Sequence, residues 1–187
     1  MLENKGDIRG HCLEFQEDIY TSAFGQGNVT KLDLLHQDGD NPQATIVADL
    51  TKPNSIPDDT FDCIICTMVL NMILDLPAAI RDLHRILKPG GVLLATVPHI
   101  AMYHPDHGGA THYTDAHGVW RFTPKGLSLS LSAFFGEDNL TVRSYGNSLC
   151  AAAEIRGVVS EELPESLLNH KDEYFPITIC ARAVKAG

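Results

Sequence analysis

Five of the nine histidines fall between positions 99 and 117: His99, His104, His107, His112 and His117, with Asp106 and Asp115 among them. Imidazole titrates near neutral pH, so such a segment suits proton abstraction from an acceptor group. His99, His104 and His107 are the candidate bases. Zinc ligation is a second use and a hydrated polar loop a third. The spacing His104-x2-His107-x4-His112-x4-His117 matches no common zinc pattern and no cysteine stands near, so no metal is expected. Carboxylates are the other chemically able group. Residues 1–75 hold 13 of the 24 acidic side chains but only 4 of the 14 basic ones. That concentration fits either a solvated surface or a site for a ligand with hydroxyls or positive charge. Cys63 and Cys66 form a C-x-x-C inside Phe61-Asp62-Cys63-Ile64-Ile65-Cys66. In a strand, residues three apart point to opposite faces, so neither a redox pair nor a metal pair is expected.

The elements that must carry these groups follow from apolar patterning. His11–Phe15, Val29–Leu35 and Ala44–Leu50 read as short strands, and Phe61–Val69 as the strongest one. Glu17–Phe24 is either a short helix or an irregular loop. Leu76, Ile80, Leu83 and Leu87 recur at helical spacing, with Asp75 as N-cap and Lys88-Pro89-Gly90-Gly91 as the stop. Gly91–Pro98 is a further buried strand. Strands apolar on both faces mark a parallel sheet covered on both sides. Leu127–Phe135 and Ser148–Val159 read as helices, Thr141–Tyr145 and Ile177–Val184 as strands at an antiparallel edge. The expected fold is one α/β domain over residues 1–187.

Two motifs at the right separation carry a family resemblance. Ile56-Pro57-Asp58-Asp59-Thr60-Phe61-Asp62 leads into the fourth strand, and Arg85-Ile86-Leu87-Lys88-Pro89-Gly90-Gly91 into the fifth. Together they resemble the class I S-adenosylmethionine-dependent methyltransferases of the type 11-like group, over roughly residues 11–98. The resemblance implies a Rossmann-like methyltransferase fold, mostly parallel, with an antiparallel C-terminal edge and an abbreviated N-terminal half. It implies S-adenosylmethionine as cofactor and transfer of its methyl to a small-molecule or glycan-type acceptor. By the family pattern Glu14, Phe15 and Gln16 belong to the first motif, Asp33 and Leu34 to the ribose-binding strand, Asp49 and Leu50 to the adenine loop. Thr67-Met68-Val69-Leu70, after the fourth strand, would flank the methionine moiety, with Thr67 and Met68 as the contact residues. The family's glycine-rich turn is degenerate here: its place reads Phe15-Gln16-Glu17-Asp18-Ile19-Tyr20, with no glycine before Gly25. A non-catalytic, partner-binding scaffold of the same fold is therefore the alternative. The segment Trp120-Arg121-Phe122-Thr123-Pro124 is similar to one in family members near sugar- or envelope-related genes; there Thr123 would cap a helix and Trp120 pack over the loop.

Bulk properties narrow the classes further. The chain has 187 residues and a formal charge of −10, which argues against a nucleic-acid surface. Five cysteines in mostly apolar settings argue against a disulfide scaffold. No window approaches the ~20 apolar residues of a membrane span, and the N-terminus has no apolar signal core. The expectation is a cytoplasmic monomer or homodimer without nucleic-acid or membrane partners.

Overall fold

The computed structural model describes residues 1–25, 27–101 and 118–187. In chain order the elements are β1 (Gly10–Phe15), α1 (Ile19–Phe24), β2 (Val29–His36), β3 (Ile46–Val47), β4 (Phe61–Thr67), α2 (Leu76–Ile86) and β5 (Leu87–Pro98). After these come α3 (Pro124–Phe135), β6 (Leu140–Tyr145), α4 (Ser148–Ile155), α5 (Glu165–Leu168) and β7 (Thr178–Val184). The strands form one seven-stranded sheet in the order β3-β2-β1-β4-β5-β7-β6. β3, β2, β1, β4 and β5 run parallel, and β7 lies antiparallel to both of its neighbours. This is the expected α/β architecture, a mostly parallel sheet with an antiparallel C-terminal edge. The N-terminal half is indeed short: α1 has six residues, and the described chain between β2 and β3 holds no helix.

The side-chain alternation of β4 explains the two cores. Ile64 and Cys66 join the larger cluster, with Leu13, Leu93 and the buried faces of α2 and α3. Cys63 and Ile65 join the smaller one on the other face, with Ile8 and Cys12, against which Tyr20 and Phe24 pack. Cys63 and Cys66 thus lie on opposite faces, as the strand period requires. Leu76, Ile80, Leu83 and Ile86 are the apolar stripe of α2, each contributing about 2 kcal/mol by burial. Its N-terminus is capped as expected, Asp75 accepting from the Ala78 N–H at 3.1 Å.

The signature residues hold the end of the sheet where β4 and β5 begin. The Arg85 guanidinium donates to Asp82 (2.7 Å), Asp58 (2.7 Å), the Ile56 carbonyl (2.6 Å) and Asn54 (3.0 Å). Lys88 donates to Asp62 at 2.8 Å, and the same carboxylate accepts the His11 N–H at 2.8 Å. A Cβ on Gly91 would stand 2.8 Å from the Lys88 carbonyl oxygen and 3.0 Å from that of Phe61, so only glycine lets these backbones approach. The Lys88–Gly91 segment already belongs to β5, because Leu87 pairs with Phe61 and the Gly90 N–H donates to the Lys185 carbonyl at 2.8 Å. β3 is shorter than the expected Ala44–Leu50. Only Ile46 and Val47 pair, at a sheet edge with a single neighbour. The helix after Asn147 ends at Ile155, four residues short of the expected Val159, where Gly157 takes a φ of 69°.

Candidate functional site

A cavity of about 500 Å³ opens at the C-terminal edge of the parallel strands. It lies where the strand order reverses: β1 leads outward to β2 and β3, while β4 leads the other way to β5. Crevices at such switch points are the usual ligand sites of open α/β sheets. Phe15 and Gln16 enter it from the end of β1, Leu35, His36 and Asp38 from β2 and its turn. Ala48, Asp49 and Leu50 line it after β3, and Val69, Met72 and Ile73 form the wall between β4 and α2.

The turn after β1 shows how the degenerate motif folds. Gln16 carries a φ of 69°, the left-handed region that favours glycine. Its N–H donates to the Leu35 carbonyl at 3.2 Å, and its carbonyl accepts from Asn41 Nδ2 at 2.7 Å. The backbone therefore makes the turn without a glycine, held by partners across β2.

Glu14, one step earlier, does not line the cavity. It is 2% exposed, and its carboxylate accepts the N–H of Tyr20 (2.8 Å), the N–H of Thr21 (2.9 Å) and the Thr21 hydroxyl (2.7 Å). It caps α1 from the neighbouring strand.

Three carboxylate residues line the cavity, Asp38, Asp49 and Asp75, the last of them committed to capping α2. Asp38 is bridged to His36 Nδ1 at 2.8 Å and accepts the Asp40 N–H at 3.1 Å. Asp49 accepts the Thr51 N–H (2.9 Å), the Thr51 hydroxyl (2.6 Å) and Lys52 Nζ (2.9 Å). Burial pushes the Asp49 carboxyl up, but the Thr51 hydrogen bonds and the Lys52 charge outweigh it, and its pKa lies below the ordinary aspartate value. It is ionised at neutral pH. Asp33, the sequence candidate on β2, is placed elsewhere. His11 Nε2 (2.6 Å), Lys31 Nζ (2.9 Å) and the Thr45 hydroxyl (2.8 Å) enclose it away from the cavity lining. β2 runs on to His36, so the carboxylate at the strand's mouth is Asp38. The turn Gln37-Asp38-Gly39-Asp40-Asn41-Pro42 carried that signal, since it starts where the strand must stop.

Of the remaining candidates, Phe15, Gln16, Asp49 and Leu50 line the cavity, whereas Leu34, Thr67 and Met68 do not. Met68 takes a φ of 53° and is exposed, and the wall is built from Val69, which belongs to the expected flanking run, and from Met72 and Ile73, which lie beyond it. His99 Nδ1 lies 2.6 Å from the Phe122 carbonyl oxygen. A carbonyl only accepts, so Nδ1 carries the proton and Nε2 is left as the basic atom of a neutral ring. His104, His107, His112 and His117 lie outside the described residues. Thr123 caps α3 through the Gly126 N–H at 3.0 Å, as expected. Arg121 donates to the Gly118, Trp120 and Ala101 carbonyls. Among the described residues no three metal-ligating side chains converge, and no helix is long and apolar enough to cross a membrane.

Comparison with known proteins agrees with this geometry. A family described as a methyltransferase domain matches residues 11–134. The ubiquinone/menaquinone biosynthesis C-methyltransferase of Pasteurella multocida is 50% identical over 38 residues, a stretch covering 20% of this chain and 14% of that protein's length. An S-adenosylmethionine-dependent methyltransferase from Mesorhizobium loti superposes with a TM-score of 0.58 at 16% identity, over 96% of this chain and 93% of the other. Haemonchus contortus phosphoethanolamine N-methyltransferase 2, in complex with S-adenosyl-L-methionine, gives 0.59 at 13% identity, over 96% of this chain and 49% of that one. At such identities the two structures show a shared fold.

Proposed function

We propose, from the premise that this chain belongs to the methyltransferase domain family, that it binds S-adenosylmethionine in the cavity at the β1–β4 switch point and methylates a small-molecule acceptor. The carrying observation is the cavity itself, which keeps about 500 Å³ although glycine is missing from the turn that borders it. Ligand pockets of this kind run from roughly 300 to 1,000 Å³.

The residues present fit the cofactor. Leu35, Ala48, Leu50 and Val69 offer apolar surface for a purine ring. Asp38 and Asp49 offer carboxylate acceptors for ribose hydroxyls or an exocyclic amine, and negative charge towards a cation. The bound cofactor supplies a methyl group already activated by its sulfonium. What remains for the protein is to hold, align and exclude water. Asp49 is kept ionised and oriented by Thr51 and Lys52. His99 does not line the cavity; with Nδ1 committed to Phe122, its Nε2 is the atom that would take a proton from an acceptor bound beside the segment after β5. The Trp120–Pro124 segment, similar to that of family members near sugar- or envelope-related genes, favours a glycan-type acceptor.

Calorimetric titration with S-adenosylhomocysteine tests the reading. Binding by the wild type is expected, weakened about tenfold or more in Asp38→Ala and in Asp49→Ala, as for loss of a hydrogen bond to a charged group. No heat and no thermal shift at millimolar ligand would overturn it.

A further inference from the structure

The cavity wall between β4 and α2 is held only in part by its own backbone. Met68 turns the chain at a φ of 53°, and a tight 3-10 turn follows over Leu70–Met72. The Met72 N–H donates to the Val69 carbonyl at 2.9 Å, but the Ile73 N–H reaches the Leu70 carbonyl only at 3.4 Å. Asn71 is 8% exposed, and among the described residues its Oδ1 meets no donor and so adds no anchor. Yet Val69, Met72 and Ile73 line the cavity, so their placement sets its shape.

One residue from a different part of the chain grips this wall twice. The Trp120 backbone N–H donates to the Asn71 carbonyl at 3.0 Å, and its indole N–H donates to the Ile73 carbonyl at 2.8 Å. Trp120 is itself fixed to the end of β5. The Phe122 N–H donates to the Pro98 carbonyl at 3.0 Å, the His99 ring donates to the Phe122 carbonyl at 2.6 Å, and the Phe122 side chain is buried in the larger core. Arg121 adds bonds to the Gly118 carbonyl at 2.8 Å and the Ala101 carbonyl at 3.3 Å.

We propose that Trp120 is a positioning residue, a clasp that ties the Asn71–Ile73 wall to the end of β5 and thereby sets the cofactor cavity. It acts through Ile73, since Trp120 does not line the cavity. The inference rests on the cavity being the S-adenosylmethionine site. Its consequence is a physical link between the segment after β5, where His99 lies, and the wall that would contact the cofactor. An acceptor that moves this segment would then change cofactor affinity, and the reverse holds by linkage.

Trp120→Phe tests the clasp, because it keeps the backbone N–H and an aromatic ring and removes the indole donor. Loss of one hydrogen bond is expected to weaken S-adenosylhomocysteine binding roughly three- to tenfold. Amide hydrogen exchange at 72–74 should quicken in the unliganded variant while β4 and β5 amides keep their protection. Trp120 is the chain's single tryptophan, so the wild-type emission should change on saturation with S-adenosylhomocysteine, a readout that needs no variant. A wild type that binds no ligand would sink the cofactor assignment, and the exchange measurement would still decide the clasp. Unchanged exchange at 72–74 in Trp120→Phe, or calorimetric binding that leaves the wild-type emission unaltered, would overturn the clasp.

Discussion

Glu14 separates a structural from a ligand-contacting role more sharply than any other residue of the first motif. Its carboxylate is almost fully enclosed and takes three hydrogen bonds, two of them from the first-turn amides of α1. Those amides have no partner within the helix, and Asp18 at the N-cap position does not supply one. Glu14→Ala strands the Thr21 N–H in a buried place, leaves the Thr21 hydroxyl only the Asp18 carbonyl at 3.2 Å, and opens a hole beside them. Hydrogen bonds to a charged group are worth about 1.5–3 kcal/mol each, but the carboxylate's own desolvation offsets part of the sum, so the expected loss is about 3 kcal/mol. At about 2–4 °C per kcal/mol for a chain of this size, the melting temperature should fall by roughly 6–12 °C. Glu14→Gln keeps one acceptor oxygen and sets an amide N–H against the other donors; about 2 kcal/mol should go. Urea unfolding measures both variants, and calorimetry with S-adenosylhomocysteine shows whether the folded fraction still binds. If Glu14→Gln keeps wild-type stability but loses the ligand, the capping role is wrong and Glu14 is a cofactor contact.

Three further outcomes are expected. Gly91→Ala should cost about 2–3 kcal/mol in urea unfolding, because the new Cβ would meet two backbone carbonyl oxygens at 2.8 and 3.0 Å; wild-type stability would refute the close approach. Asp33 and Asp62 both titrate below the ordinary aspartate value: burial raises each, but hydrogen bonds and a neighbouring lysine outweigh it. Their stabilisation is therefore complete above the unfolded value of about 3.9 and lost as pH falls through the lower folded values. Urea midpoints should hold between pH 7 and about pH 5 and drop below about pH 4, and a midpoint at pH 3 equal to that at pH 7 would contradict this. Burial pushes the Cys66 thiol up to about 12, and Cys12, Cys63 and Cys150 are buried too. A thiol-specific reagent should modify at most Cys180 quickly in the native protein and all five cysteines in denaturant; fast native reaction at Cys66 would show that β4 opens.

How far the sequence revealed the fold depended on how much of each element's patterning came from its own pairing. β4 was legible because Phe61–Thr67 is buried on both faces, and α2 because its stripe and its cap agree. β3 was overextended for a physical reason. Ala48 and Leu50 are apolar because they pack in the core and line the cavity, not because they pair in the sheet. Asp33 and Asp38 are not ranked by residue type, and the one local signal is the turn that starts at Gln37. The pairing of Leu35 with Phe15 and of His36 with Val47 carries β2 far enough to leave Asp33 inside the strand and Asp38 at its mouth. The wall at Met72 and Ile73 was hidden because its partner, Trp120, is 47 residues away from Ile73 in sequence.

The residues that reveal the family and those that build its site lie at opposite ends of the sheet. Arg85, Lys88, Asp62 and Gly91 bond one another or their neighbours where β4 and β5 begin, and they are legible because a knot of charges and a glycine turn tolerate few alternatives. The cavity end is set by backbone shape, which several sequences can supply. Gln16 illustrates this. A left-handed non-glycine residue costs roughly 1–2 kcal/mol, yet the turn is kept. The bonds from its N–H to Leu35 and from Asn41 to its carbonyl hold the conformation that glycine would adopt freely. The missing glycine thus removes a cheap way of making the turn and leaves the turn itself in place. Loss of the motif's letters is weak grounds for expecting loss of its cavity, because the cavity depends on φ at position 16 and on the strand ends around it.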